Sequence, residues 1–269
     1  MKARKLGKAI KGVVRKLLGR EKAPPPPYAH APGDTVVSDF SEFSGMPVSD
    51  VEHRINHFES LCKTEWEALP AADFVERARA YYASSQNYVF DLLGANASRE
   101  AVTGKLEKFH PGLLAQIREH PGKRFLEFGG GTGVFCEIAT TLGKSVTYLD
   151  IPGTPMEFAR WRFRKYGLPV EVVVSAPGKY AIPGQYDVVF TDAVMEHVPP
   201  TEQRDATRAI SHAVAAGGML VFIVDLTGDC EEFPMHAEVD IRALHATIAE
   251  AGLRCVHGKN RFCSVWSRP

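Results

Sequence analysis

The chain has 269 residues, of which 45% are apolar, and its 32 basic side chains balance its 32 acidic ones. This length is sufficient for one large α/β core plus a modest extra segment. Five cysteines without a Cys-x-x-Cys pair favour reduced thiols in a cytoplasmic setting over a disulfide scaffold. No apolar run approaches the roughly 18 residues of a membrane span, and no signal-peptide pattern is present.

The N-terminal segment 1–22 is strongly basic. It holds nine Lys or Arg and one acid, so the rest of the chain carries 23 bases and 31 acids. Its apolar residues follow helical spacing, which predicts an amphipathic helix and, over residues 1–20, a peripheral contact with an anionic membrane surface. A solvated tail is the alternative. Nucleic acid is disfavoured because no aromatic residues are interleaved for stacking.

Segment 23–49 opens with four consecutive prolines and has no lasting period, so we predict a Pro-rich linker followed by irregular structure. From residue 50 the apolar spacing becomes helical up to residue 120. Helices are expected at 50–67, 71–92, 98–108 and 111–119.

The stretch 125–135 reads as a short apolar strand, a glycine-rich turn and the start of a helix. Gly129, Gly131 and Gly133 alternate with other residues, and Glu127 lies two positions before the first of them. A dinucleotide-binding fingerprint would place its third glycine at 134, where this chain has Val134. An NAD-dependent oxidoreductase is therefore the disfavoured alternative for this loop.

With Glu127 in front, the pattern E-x-G-x-G-x-G resembles the first motif of the class I S-adenosylmethionine (SAM) methyltransferases. The resemblance implies that the loop packs under the methionine part of SAM and that an acid ending the next strand binds the ribose hydroxyls. Asp150 ends that strand, at the place expected for any βαβ nucleotide unit. The cofactor-binding residues expected from this motif and the next strand are Glu127, Gly129, Gly130, Gly131, Gly133, Asp150 and Ile151.

From residue 121 to 269, strands and helices alternate, which predicts a mainly parallel sheet. Strands are expected at 124–128, 145–149, 170–174, 186–191, 219–225, 253–257 and 261–266, with helices at 132–142, 155–166, 202–215 and 238–251. We predict an α/β, Rossmann-like, seven-stranded sheet with an antiparallel last strand. The family resemblance implies that segment 50–120 forms a helical lid over the cofactor. The candidate lid residues are Tyr81, Tyr82, Gln86, Asn87 and Tyr88; the equally weighted alternative is that the tyrosines cover the core.

Ligands bind at the carboxyl ends of the strands in such sheets, which selects the remaining candidates. Ser175 follows the third strand where many family members have an acid for adenine, and Asp192 ends the fourth; both are predicted to bind the cofactor. The following Glu196-His197-Val198-Pro199 resembles an element that in some phenol methyltransferases holds a metal together with an acid three residues earlier. That position is Ala193 here. Asp192 and Asp225 at neighbouring strand ends are an alternative magnesium pair, but our prediction is that no metal is bound.

The acceptor end is expected around the loop after the fifth strand. A methyl transfer to a hydroxyl requires a base, and histidine titrates near neutral pH. We predict His236, Asp225 and His197 as catalytic residues. The predicted function is SAM-dependent methyl transfer to an oxygen, less favourably a nitrogen, of a small-molecule or glycan or lipid-linked acceptor. A non-catalytic SAM-binding scaffold is the alternative from another class.

Overall fold

The computed structural model describes residues 35–70, 73–226 and 233–269. The predicted basic helix at 1–20 and the proline run lie outside these residues. Four of the five cysteines lie inside them, and these four are free thiols.

Seven strands form one sheet in the order β3-β2-β1-β4-β5-β7-β6. β7 runs antiparallel to both of its neighbours, and the remaining pairs are parallel. This arrangement confirms the predicted fold. The strands are β1 (Arg124–Phe128), β2 (Ser145–Asp150), β3 (Val170–Val174), β4 (Tyr186–Asp192), β5 (Val214–Ile223), β6 (Arg254–His257) and β7 (Cys263–Ser267).

Seven helices in the described residues precede the sheet, and four more connect its strands. The first group is α1 (Thr35–Ser44), α2 (Val48–Asn56), α3 (Phe58–Ala68), α4 (Phe74–Ser84), α5 (Tyr88–Ala95), α6 (Arg99–Phe109) and α7 (Leu113–Glu119). The second group is α8 (Val134–Thr141), α9 (Thr154–Lys165), α10 (Gln203–His212) and α11 (Ile241–Glu250).

Period-two alternation along β1 explains how the sheet is covered on both faces. Phe125 belongs to the apolar cluster under α8 and α9, whereas Leu126 and Phe128 belong to the cluster under α10 and α11. Both faces of a parallel sheet are thereby buried, as the near-continuous apolar strands predict. The carboxyl ends of β1 to β5 remain available at one edge.

The helix α1 corrects the expectation of irregular structure across 28–49. Its residues Val36, Val37 and Phe40 are fully or almost fully buried in the cluster that also contains Phe158 of α9. The edge of Phe40 meets the Phe158 ring at 5.1 Å between centroids. This helix forms because α9 offers an apolar surface, and a local sequence pattern does not contain that information.

A buried ion network fixes α1 against α9. The guanidinium of Arg162, whose side chain is 1% exposed, lies 3.0 Å from Asp39 of α1 and 2.6 Å from Glu137 of α8. The Tyr166 hydroxyl also donates to Asp39 at 2.6 Å. The helices α1, α8 and α9 are therefore connected by ion pairs as well as by apolar contacts.

Two long helices expected from the sequence are each divided in two. The first is divided at His57, and the second at residues 85–87, where Ser85 takes an extended conformation. The carboxylate of Glu65 accepts from the Ser85 hydroxyl and from the backbone N–H groups of Gln86 and Asn87. These bonds pair the backbone N–H groups between α4 and α5. The chain changes direction there, and Tyr88 at the start of α5 lies at the carboxyl edge of the sheet.

Candidate active site

The glycine loop connects β1 to α8 in a conformation that requires glycine. Gly129 has φ +72°, and a Cβ atom there would lie 2.5 Å from Cγ2 of Val194 in the loop after β4. Gly133 has φ +74°, and its Cβ would meet the Phe163 ring at 2.5 Å. The loop is therefore pressed between neighbouring elements while its upper side stays open to the cavity.

Asp150, at the end of β2, is bonded directly to the glycine loop. Its Oδ2 accepts from the Gly131 N–H at 2.7 Å, and its Oδ1 accepts from the Ile151 N–H at 2.7 Å. Burial raises the pKa of Asp150, and these two backbone N–H groups act against that rise. The buried Tyr148 hydroxyl donates to the Gly131 carbonyl at 2.8 Å and closes the network.

Glu127, on β1, points its carboxyl group toward the same cavity. Burial raises its pKa to about 8, although a hydrogen bond from Cys136 favours the charged form. Its Oε2 receives no hydrogen bond from the described residues. A buried carboxyl with an unsatisfied oxygen is suited to a ligand that brings an N–H or O–H donor.

One cavity of about 1510 Å³ runs along the carboxyl ends of the strands from β3 to β5, with α4, α5 and α6 forming the opposite wall. Most of the predicted site residues line it, namely Glu127, Gly129, Gly130, Gly131, Asp150, Ile151, Ser175, Asp192, His197, Asp225 and His236. Gly133 is absent from the lining because it forms the start of α8 behind the loop.

The two predicted catalytic histidines lie in contact at the β5 end of the cavity. The rings of His197 and His236 are 4.7 Å apart between centroids, and Phe233 stacks on His236 at 5.1 Å. Burial lowers the pKa of both imidazoles, most strongly for His197. The negative charge of Asp225 opposes this effect at His236. Both rings are therefore neutral near pH 7.

Tyr82 of α4 determines which nitrogen of His197 carries the proton. Its hydroxyl lies 2.7 Å from His197 Nδ1 and 3.0 Å from the Met235 carbonyl. The single phenol proton has to go to the carbonyl, which accepts only, so His197 Nδ1 has to donate. This tautomer leaves the lone pair of Nε2 as the basic site.

Two further acids line this end of the cavity. Glu196, 2% exposed, accepts from the Asp225 N–H at 3.2 Å through Oε1, and burial raises its pKa to about 8. Asp91 of α5 has its pKa raised to about 7, mainly by burial and further by the negative charge of Asp225. The acceptor end is thus rich in protonatable groups.

The remaining predicted residues are engaged by neighbours. The half-buried Ser175 donates through Oγ to the Lys179 carbonyl at 2.6 Å, and its own N–H donates to the Asp150 carbonyl. Asp192 forms a 2.6 Å ion pair with Lys105 of α6. Within residues 35–70, 73–226 and 233–269, no three His, Cys, Asp or Glu side chains converge as a metal site.

Sequence reasoning did not assign a role to Asp91, Lys105 or Tyr148. Contact between Tyr148 and the glycine loop could have been predicted from the sequence, because the alternation along β2 places its side chain on the face of that loop. Asp91 and Lys105 lie on helices whose packing onto the sheet is a long-range property, and no local pattern distinguishes them from solvent-exposed charges. Tyr82 was expected only as a lid residue.

Comparison with known proteins points to one family. A family model described as a methyltransferase domain matches residues 126–220. The ubiquinone biosynthesis O-methyltransferase of Proteus mirabilis is 29% identical over 157 residues, which are 55% of this chain and 63% of that protein. The enzyme of the same name from Escherichia coli O127:H6 is 34% identical over 125 residues, covering 44% of this chain and 50% of the relative. The chain thus spans about half to just under two thirds of these relatives.

Among solved structures, the SAM-bound magnesium protoporphyrin IX methyltransferase of Synechocystis PCC 6803 superposes with a TM-score of 0.54 at 13% identity. The match covers 75% of this chain and all of that one. At this identity the likeness concerns the fold alone. The domain match, the seven-stranded sheet and the glycine loop bonded to Asp150 together make this chain similar to the class I SAM-dependent methyltransferases.

Proposed function

We propose that this chain is an enzyme that transfers a methyl group from SAM to an oxygen atom of a small-molecule acceptor. The observation that carries the proposal is the bond between Asp150 and the Gly131 N–H at the carboxyl edge of the sheet. This bond joins the loop to Asp150, the acid that we propose for the ribose hydroxyls, and both line the cavity.

The residues present fit SAM. Asp150 retains lone pairs for the ribose hydroxyls after accepting its two backbone N–H groups. The open face of the loop admits a ligand against the backbone, and the unsatisfied Oε2 of Glu127 accepts a donor from it. SAM supplies a methyl group on a positively charged sulfur, which is already electrophilic.

The protein's own residues have two tasks at the acceptor end. The first is to hold the acceptor oxygen in line with the methyl group, which lowers the entropic barrier. The second is to remove the hydroxyl proton. We assign this proton to Nε2 of His197, with His236 and Asp225 beside it; the bond from Nδ1 to Tyr82 fixes the His197 ring.

The relatives support an oxygen acceptor, because they are named O-methyltransferases of ubiquinone biosynthesis. The cavity volume of about 1510 Å³ exceeds the need of a nucleoside cofactor alone and leaves room for an organic acceptor. A glycan or a lipid-linked molecule is a narrower class of acceptor that the same cavity would serve. A non-catalytic scaffold with a working cofactor site is the competing function.

Calorimetric titration of SAM and S-adenosylhomocysteine into the full chain tests the cofactor site. We expect the Asp150→Ala variant to bind at least about tenfold more weakly, because it loses charge-assisted hydrogen bonds to the ligand. Asp205→Ala removes an exposed acid on α10 that does not line the cavity, and its affinity should equal that of the wild type. Absence of binding by the wild-type chain would refute the proposal.

A measurement of methyl transfer distinguishes the enzyme proposed above from a non-catalytic SAM-binding scaffold. Methyl-labelled SAM is incubated with the full chain and a set of phenolic, isoprenoid and sugar acceptors, and labelled products are counted. Label transfer that His197→Ala abolishes supports the enzyme. Tight SAM binding without transfer to any acceptor favours the scaffold.

A further inference from the structure

Three carboxyl groups line the end of the cavity that we assign to the acceptor, and the proton transfer described above involves only one of them. They belong to Asp91 of α5, to Glu196 in the segment after β4 and to Asp225, which follows β5. Burial and then the negative charge of Asp225 raise the pKa of Asp91, and both also raise the pKa of Glu196. The three acids are therefore near enough to one another to interact through their charges.

The carboxyl group of Glu196 has one oxygen without a partner. The residue is 2% exposed, and its Oε1 accepts from the Asp225 N–H at 3.2 Å. Its Oε2 accepts no hydrogen bond from the residues that the structure describes. A buried polar atom without a hydrogen bond costs free energy, so this oxygen indicates a ligand that brings a donor.

The cations that line the cavity within the described ranges lie at other places. Arg79 is paired with Glu202, and Lys105 forms a 2.6 Å ion pair with Asp192. Lys179 belongs to the segment after β3, at the opposite end of the row of parallel strands from β5. The acceptor end thus presents three acids and none of these bases.

Aromatic rings stand beside the acids. Tyr82, Tyr88 and His197 all line the cavity, and their ring centroids are 5.1–5.3 Å apart in edge-on pairs. Asp91 and Glu196 are among the negative groups that, after burial, raise the pKa of Tyr88, so its phenol lies close to them. Aromatic rings next to carboxylates are the surroundings in which proteins bind organic cations.

This combination favours a ligand with a positively charged nitrogen. Metal ions also bind carboxylates, but in the part of the chain that the structure describes no three His, Cys, Asp or Glu side chains converge on one point. An ammonium group combines positive charge with N–H donors, which the free oxygen of Glu196 requires. We propose that the acceptor carries a protonated amine beside the hydroxyl that is methylated, and that Glu196 and Asp91 bind this amine. The proposal rests on the proposed function and names the class of its acceptor.

The carboxyl groups do not have to be charged before the ligand arrives. The pKa is about 8 for Glu196 and about 7 for Asp91 in the empty cavity, and a neighbouring ammonium favours the charged carboxylate. Their protons then pass to solvent near neutral pH, while the ammonium keeps its own.

The same arrangement discriminates against acceptors with an acidic group. A carboxylate or phosphate would be buried beside Asp91, Glu196 and Asp225, and the repulsion between like charges costs free energy. A neutral acceptor avoids this repulsion but gains no ion pair. The predicted order of affinity is therefore ammonium first, neutral second and carboxylate last.

Calorimetry on the full chain saturated with S-adenosylhomocysteine tests this order. The sulfur of S-adenosylhomocysteine is uncharged, so it does not occupy the acids as a sulfonium would. Three catechols serve as probes, with side chains that end in an ammonium (dopamine), a hydroxyl (hydroxytyrosol) or a carboxylate (3,4-dihydroxyphenylacetate). Glucosamine, glucose and glucuronate form a non-aromatic set. In at least one set, we expect the ammonium member to bind at least about tenfold more tightly than the neutral one, and the carboxylate to bind most weakly.

Two variants assign the preference to the acids. Glu196→Gln keeps the shape of the side chain and cannot become charged, so it should reduce the ammonium preference to about threefold or less and leave the neutral probe within about twofold. Asp91→Asn, on a different element, should reduce the preference in the same direction. Glu119→Gln changes an exposed acid outside the cavity and should keep the wild-type preference.

The failures of this proposal and of the proposed function are distinguishable. A wild-type chain that binds S-adenosylhomocysteine but shows no ammonium preference in either set, or binds none of the probes at millimolar concentration, overturns the proposal alone. A preference that persists in both Glu196→Gln and Asp91→Asn also overturns it, and Asp91→Asn decides by itself if Glu196→Gln no longer binds S-adenosylhomocysteine. Absence of S-adenosylhomocysteine binding by the wild type overturns the proposed function.

Discussion

Three carboxyl side chains of the cavity hold protons at pH values where a carboxyl in water would have lost them. Burial raises the pKa of Glu127 and Glu196 to about 8 and that of Asp91 to about 7. In the unfolded chain these groups titrate near pH 4, as free carboxyls do. The folded protein therefore retains protons that the unfolded chain releases, and its stability falls as pH rises from about 4, with the loss complete once pH has passed the folded-state pKa values.

This linkage predicts a steeper loss of stability between pH 7 and 8.5 in the wild type than in Glu196→Gln. The amide keeps the shape of the side chain and has no proton to lose, so the variant should also be the more stable protein at pH 8.5. The lowered pKa values of His197 and His236 act below pH 6.5 and do not interfere. Urea unfolding at each pH measures the slope.

The matched control is Glu119→Gln, which changes an exposed residue at the end of α7. Its pH dependence should follow that of the wild type. If Glu196→Gln were to give the wild-type slope as well, the Glu196 carboxyl would be charged in the folded state, and our description of this end of the cavity would be wrong.

At the residue scale, the side chains that lie in local motifs could be predicted. The glycine spacing and the acids at or next to the ends of β1, β2 and β4 are read along the chain, and the carboxyl-edge rule brings them together. The places of Lys105 and Asp91 in the cavity could not be predicted, because they depend on how the helices pack across the sheet. The tautomer of His197 could not be predicted for the same reason, since it is set by a hydrogen bond with Tyr82, which is 115 residues away in the sequence.

Among the elements, α1 is held to the fold by a buried acid. Its Asp39 accepts hydrogen bonds from the side chains of Arg162, Lys165 and Tyr166. We predict that Asp39→Ala destabilises the fold by about 3–5 kcal/mol, because Arg162 loses one of its two carboxylate partners in a buried site. Urea denaturation monitored by circular dichroism measures the change.

Glu42→Ala provides the comparison on the same helix. Glu42 is exposed and contacts only the amine of Lys165 among these groups, at 2.6 Å, so its removal should cost no more than about 1 kcal/mol. Similar losses for both variants would mean that α1 is fixed by its apolar residues and that the buried network adds little.

Element prediction succeeded where periodicity is strong and failed where tertiary contacts decide. The seven strands were found because buried β-branched runs alternate with amphipathic helices. The turn at residues 85–87 was missed because it depends on Glu65, twenty residues away. The helix α1 was missed because its stability comes from α9.

The whole molecule combines an N-terminal segment of nine bases and one acid, which lies outside the described residues, with a remainder of 23 bases and 31 acids. No helix in the described part of the chain is long and apolar enough to cross a membrane. We keep as a prediction that residues 1–20 attach the protein to anionic lipid surfaces.

Co-sedimentation with phosphatidylglycerol vesicles tests this prediction. The full chain should bind them, and deletion of residues 1–22 should abolish binding, because about eight net positive charges are removed. Vesicles of phosphatidylcholine alone serve as the control and should retain neither protein. Undiminished binding of the shortened chain would end the anchor hypothesis.

The bond between Asp150 and Gly131 has a kinetic consequence. Because the loop is already held by the carboxylate and by Tyr148, its backbone does not have to become ordered when the ligand binds. Association with the cofactor should then proceed in one phase, and its heat-capacity change should reflect the surface of the ligand alone, without a contribution from chain folding. The end of the cavity around Asp150 is then expected to behave as a rigid receptor, and any adaptation to different acceptors is expected at the opposite end, around His197 and His236.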